Sequence, residues 1–143
     1  MTAADAPEFA LREHTADVAV EATAPTISGV FAAVADGLAA AMCDDVPETG
    51  GDRFSVDVTA EGAEAALFDY LDELIYERDV RGVLPVDNDA TVTESGGEWT
   101  VSASARGVPL ADVVARDVKA VTYSEMDLTE TDDGWHAYVV FDV

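Results

Sequence analysis

The sequence predicts an α+β fold, a mostly antiparallel β-sheet with two main helices packed on it. Three observations predict it. Two segments before Gly82 carry apolar residues at three- and four-residue intervals, most of the later sequence alternates in strand fashion, and two hairpin turns punctuate that later part. Helices concentrated early and antiparallel strands late favour helices on one side of a sheet over alternating βαβ units. No linker, repeat or low-complexity segment divides residues 1–143, and the length suits one domain that buries roughly 68–70% of its unfolded surface.

Taken in order, Phe9 to Glu13 and Val18 to Thr23 read as extended, with HTAD between them. The period then changes. Ile27, Val30, Phe31, Val34, Leu38, Ala41 and Met42 form one apolar helical face, with Thr26 placed to cap its start and Asp44, Asp45, Pro47, Gly50 and Gly51 to end it. Phe54, Val56 and Val58 alternate with polar residues, the mark of a strand with one buried face. A second helix follows, its stripe made by Ala63, Ala66, Leu67, Tyr70, Leu71, Leu74 and Ile75. Val83 to Thr93 reads as extended and interrupted by a turn-like Asp87–Asn88–Asp89, after which Glu94 to Gly97 turns the chain into Glu98 to Ala105. Gly107 and Pro109 precede a short segment, LADVVA. Val118 to Thr129 and Trp135 to Asp142 are the last strands, joined by TDDG.

Thirty acidic residues against seven basic ones leave a net charge of −23. A disordered chain is excluded by the 49% apolar content, so the acidity reads instead as a halophile-type surface, a carboxylate shell that stays hydrated in concentrated salt. Such a chain repels phosphate backbones, and no strong direct nucleic-acid binding is expected. The N-terminal MTAADAPEF lacks a basic stretch followed by an apolar one, and no run approaches the roughly 18 residues of a membrane span; a cytoplasmic protein is expected. Cys43 is the only cysteine and reads as a buried thiol at a helix end.

Familiar catalytic motifs are absent: the chain has no GxxxxGK, GxSxG or CxxC, and neither His14 nor His136 has a partner at metal-ligand spacing. For either histidine alone a hydrogen-bonded structural role is the plainer reading. The chain's end offers more. Asp142 and the terminal carboxylate of Val143 are adjacent, and a third carboxylate from Asp17 would complete a corner of hard oxygen ligands suited to Ca²⁺ or another divalent cation. Among 30 acids such pairings also arise by chance. Lys119 stands out because it is the only lysine beside six arginines. A two-residue loop at Asp132–Asp133 would pair Tyr123 with Asp142 and set Lys119 on the same sheet face, about four residues or roughly 13 Å beyond the chain's end. An edge-strand cation or a lone ion pair would explain a basic residue there, but arginine would do either job, whereas a compact ammonium differs from a planar guanidinium at a functional site.

Four pieces together resemble the archease family: HTADV at His14 to Val18, YLDELIYERD at Tyr70 to Asp79, DVKAVTYSEM at Asp117 to Met126, and the closing WHAYVVFDV. The resemblance implies a small α+β protein that is not itself an enzyme but activates an RtcB-type RNA ligase in tRNA splicing, promoting guanylylation and repeated turnover. It implies a calcium-type site on Asp17, Asp142 and Val143, a functional role for Lys119, and one for His14 in its motif. Ser124 stands where the family commonly has histidine after KAxTY, so no imidazole chemistry transfers to that position. Two other classes stay open: a stand-alone metal-dependent hydrolase, which would turn over with no ligase present, and a chaperone-like binding module.

Overall fold

The computed structural model describes residues 7–14 and 17–143, with the side chains of residues 12–14 outside that description. Strands β1 (Glu8–His14) and β2 (Asp17–Ala24) lead into helix α1 (Ile27–Met42); β3 (Asp52–Ala60) precedes helix α2 (Ala63–Arg81); then come β4 (Val83–Ser95), β5 (Glu98–Pro109), a 3₁₀ turn (Leu110–Asp112), β6 (Ala120–Thr131) and β7 (Gly134–Asp142). The strands divide between two antiparallel sheets, β1-β2-β7-β6 and β3-β5-β4. Two helices on antiparallel sheets is the α+β arrangement the sequence predicts. Among the described residues no helix is long and apolar enough to cross a membrane.

Local chemistry explains the helix ends. Thr26 is extended, and its Oγ1 accepts the Gly29 amide at 3.0 Å, satisfying one of the donors that a helix start leaves open. Cys43, buried, closes α1 by donating its amide to Ala39 O at 2.9 Å. Helix α2 ends at Gly82, whose φ of 65° lies in the left-handed region that a residue without Cβ adopts cheaply.

Burial runs around most of α1: Val30, Phe31, Ala33, Val34, Ala35, Gly37, Leu38, Ala39, Ala41 and Met42 are all enclosed. A helix buried on more than one face needs more than one cover, and α1 packs on β2 of the larger sheet and β4 of the smaller. Helix α2 packs likewise on β3 and β6. At Gly37 a Cβ would collide with Val20 Cγ1, so the close approach of α1 to β2 depends on that glycine. The shared core joins Val20, Phe31, Leu38, Tyr70, Leu74, Val101, Val139 and Phe141, with Phe31 and Tyr70 stacked at 6.2 Å between centroids.

Two sequence expectations change. The Asp87–Asn88–Asp89 stretch is no turn: β4 continues through it, with a slip in register between Val86 and Asp89 and Asp87 at φ 52°. The last hairpin does close on Asp132–Asp133, but its ladder shifts by three residues between Thr122 and Asp127. Ala120, not Tyr123, therefore faces Asp142.

Candidate functional site

Strand β2 begins where β7 ends, because the two are antiparallel neighbours at the centre of the larger sheet. Asp17 is the register partner of Asp142, His14 of Asp17, and Ala120 of Asp142. Directly opposed residues share a sheet face, so one row across all four strands carries both aspartates. Lys119 joins this end through its backbone: its amide donates to Asp142 O at 2.8 Å. The 13 Å offset expected from an unbroken ladder is thus replaced by direct contact, and the odd-numbered shift cancels the argument that put Lys119 and Asp142 on one face. Thr15 and Ala16 of the HTAD motif and the His14 side chain lie outside the described residues.

The remaining architecture converges here too. Helix α1 runs back along β2, and the carbonyls of its last turn are taken up by the segment before β6: Arg116 N donates to Met42 O at 2.7 Å and Arg116 Nη1 to Ala41 O at 3.2 Å. Val118 is fully buried while Lys119 is exposed, so the chain enters the core and leaves it within one residue.

The donor set fits a hard cation. Asp17 and Asp142 offer carboxylate oxygens on one face, Val143 follows Asp142 directly and is 46% exposed, and Thr122 lies one rung inward on that face, opposite Val140. Thr122 Oγ1 is buried with no hydrogen-bond partner, a further oxygen turned away from water. Among the described residues no three His, Cys, Asp or Glu side chains gather as a metal cluster.

His136 is elsewhere, opposite Thr23 and Thr129. Its Nε2 lies 2.9 Å from Glu21 Oε2 and its Nδ1 3.1 Å from Asp127 Oδ2, so it bridges the strands on either side of β7. The Glu21 hydrogen bond, with help from Asp127 and against the effect of burial, raises the imidazole pKa above its ordinary 6.5. This is the hydrogen-bonded structural histidine that the sequence suggests.

The periodicity of α2 holds one further signal. Arg78 falls four residues after Leu74 and three after Ile75, on the apolar face, and it is only 6% exposed. A cation on the buried stripe of a helix is unusual enough to mark a specific partner.

Residues 9–143 match the model of the Archease protein family (MTH1598/TM1083). The chain belongs to the archease family. It is 30% identical over 144 residues to protein archease of Methanosarcina barkeri, covering 95% of this chain and 96% of that one, and 32% identical over 138 residues to protein archease of Methanosarcina acetivorans, covering 92% of each. The solution structure of Methanobacterium thermoautotrophicum protein 1598 superposes with a TM-score of 0.82 at 25% identity, over 94% of this chain and 98% of that one. A crystal structure from Thermotoga maritima, described as an archease and possible chaperone, gives 0.61 at 23% identity over 92% and 94%. The archease match spans both sheets and every residue of the row that joins Asp17 to Asp142.

Proposed function

We propose that this archease is a cytoplasmic accessory protein that activates an RtcB-type RNA ligase in tRNA splicing, promoting ligase guanylylation and repeated turnover. The observation that carries the reading is the Asp17–Asp142 register pair with the Lys119 amide on the Asp142 carbonyl. Sequence-distant residues singled out for chemistry meet at one end of one sheet. Asp17, Asp142 and Val143 would hold a divalent cation of the calcium type, which supplies charge to phosphate oxygens when bound. Lys119, exposed beside it, offsets phosphate charge while the ligase's own nucleophile attacks GTP. With a net charge of −23 the chain complements the cationic surface that a ligase for RNA and GTP must present, and it is poorly suited to grip RNA directly.

The test is guanylylation and multiple-turnover ligation by an RtcB-type ligase, with and without this chain, in concentrated salt and with added calcium. Stimulation that disappears in Asp17→Ala is the expected result. No stimulation by the wild-type chain rejects the proposal. The description of the Thermotoga maritima relative favours a second reading, a chaperone-like binding module. It predicts suppressed aggregation of unrelated proteins, insensitive to Asp17→Ala.

A further inference from the structure

Residues 114–119 have no regular secondary structure, so their backbone polar groups lack a ladder and need partners of another kind. Arg116 anchors this strap to the end of α1 through its amide and guanidinium, and the Lys119 amide anchors it to β7. Between those points stands Arg78. Its guanidinium is buried, which is costly unless its fork of donors is satisfied. Nε donates to Asp79 Oδ1 at 3.0 Å, Nη2 lies 2.9 Å from Asp79 Oδ1 and 3.2 Å from Asp117 Oδ1, and Nη1 donates to Val118 O at 2.8 Å and to Met42 Sδ at 3.2 Å. Asp117 and Val118 are the two residues immediately before Lys119.

We propose that Arg78 is a positioning residue for Lys119: by holding the Asp117 carboxylate and the Val118 carbonyl together, it fixes where the strap leaves the core and therefore where the ammonium starts. The planar fork matters because four differently placed acceptors, three oxygens and the Met42 sulfur, are reached from one group; an ammonium at the end of a lysine stem cannot span them together. A cleft of about 260 Å³ lies beside the strap, bordered by Arg78, Asp79, Leu110, Val113, Arg116 and Asp117, so no packed side chains hold the strap from that side. The effect on ligation rests on the ligase-activator reading, whereas the effect on the position of Lys119 does not.

A single-site probe exists because Lys119 is the chain's only lysine. Protein labelled with ¹⁵N-lysine gives one backbone amide signal in wild type and in Asp117→Ala, that of the bond to Asp142 O, and Arg78→Lys adds only a second signal, from residue 78, that is told apart by its absence from the wild-type spectrum. Its hydrogen exchange is compared with that of core amides such as Leu74 and Val139, read from uniformly ¹⁵N-labelled samples, in wild type, Arg78→Lys and Asp117→Ala. Exchange at Lys119 should accelerate about tenfold or more in Arg78→Lys, as expected for loss of a hydrogen bond to a charged group, with core amides unchanged. In Asp117→Ala, which removes an exposed partner, the acceleration should be about threefold. Ligase stimulation should fall in the same order. The proposal is overturned if Lys119 exchanges at the wild-type rate in both variants, or only in step with the core amides. Should Arg78→Lys fail to fold, Asp117→Ala decides alone, and a wild-type Lys119 rate there overturns it. Loosened Lys119 with full ligase stimulation also overturns the positioning role. Loosened Lys119 with no stimulation even by wild type upholds the clamp and removes the ligase reading instead.

Discussion

The two long hairpins break their ladders differently. In β4–β5 the slip is one residue, with Asp87 and Asn88 set against Ala105. Arg53 reaches the Asp87 carboxylate at 3.4 Å and its carbonyl as well, Arg106 lies 3.8 Å from the same carboxylate, and Asn88 turns inward to donate to Asp36 from both its amide and its side chain. In β6–β7 the shift is three residues, with Tyr123 to Met126 set against Val139. Tyr123 lies flat on Phe68 of α2, 4.1 Å between centroids and 4° between planes, and the start of β6 moves along β7 until Lys119 meets Asp142. Each break contains one non-glycine residue of positive φ, Asp87 at 52° and Glu125 at 59°. Similar backbone irregularities thus serve different ends: the first braces a sheet edge against α1, and the second decides which side chains reach the end of the larger sheet.

Lys119→Arg breaks that contrast most severely. Folding should hold within about 0.5 kcal/mol, since charge is kept at an exposed position. Ligase stimulation should fall roughly tenfold or more, because the guanidinium is wider and differently hydrated. Arg53→Lys at the other break is the control, and it should leave stimulation intact; thermal melting paired with multiple-turnover ligation reads both.

Extending the chain beyond Val143 should come next in effect. An amide carbonyl in place of a carboxylate removes one anion from the proposed cation site, and calcium affinity measured by titration should weaken about tenfold, ~1.4 kcal/mol. Equal affinity with and without the extension would confine the site to side chains.

The pH response separates the sheets more gently. His136 has a folded pKa above its unfolded value, so its stabilising contribution is complete below about 6.5 and is lost as pH rises through the folded pKa. Amides of β2, β6 and β7 near the Glu21–His136–Asp127 bridge should therefore lose exchange protection on going to alkaline pH, while β4 and β5 hold theirs. His136→Gln should abolish the difference, and concentrated salt should reduce it because the bridge is only half-buried.

The smallest effects are at the two positive-φ residues. Glu125→Gly relieves left-handed backbone and should stabilise by at most about 1 kcal/mol, offset in part by the lost interaction of the Glu125 side chain and by the greater freedom of glycine in the unfolded chain. Asp87→Gly gains the same relief but loses its contacts to Arg53 and Arg106, so its net change should stay within about 0.5 kcal/mol. Denaturant melts of the two variants would sharpen the contrast between a braced break and one whose role lies at the sheet's end.

Much of the architecture is legible from neighbours along the chain. The α1 stripe, the Thr26 cap, the Asp132–Asp133 hairpin and the alternation of Phe54, Val56 and Val58 all reappear as predicted, because helix period, capping and tight turns depend on residues within a few positions of one another. Asp17, Asp142 and Lys119 were legible as candidates, by type and by rarity. Arg78 was legible as an anomaly on the stripe, but its partners Asp117 and Val118 lie about forty residues away, and nothing in the local pattern names them.

Only the tertiary structure decided which residues meet. The strand order β1-β2-β7-β6 pairs the second strand with the last across more than a hundred residues, and the three-residue shift sets Ala120 rather than Tyr123 against Asp142. Register is chosen by which side chains across a whole sheet can be buried together, with Val121 and Leu128 both turned to the core on either side of the break and Tyr123 held on Phe68. Composition and periodicity determined what this protein is built from and which side chains are suited to chemistry; long-range burial determined that they stand side by side.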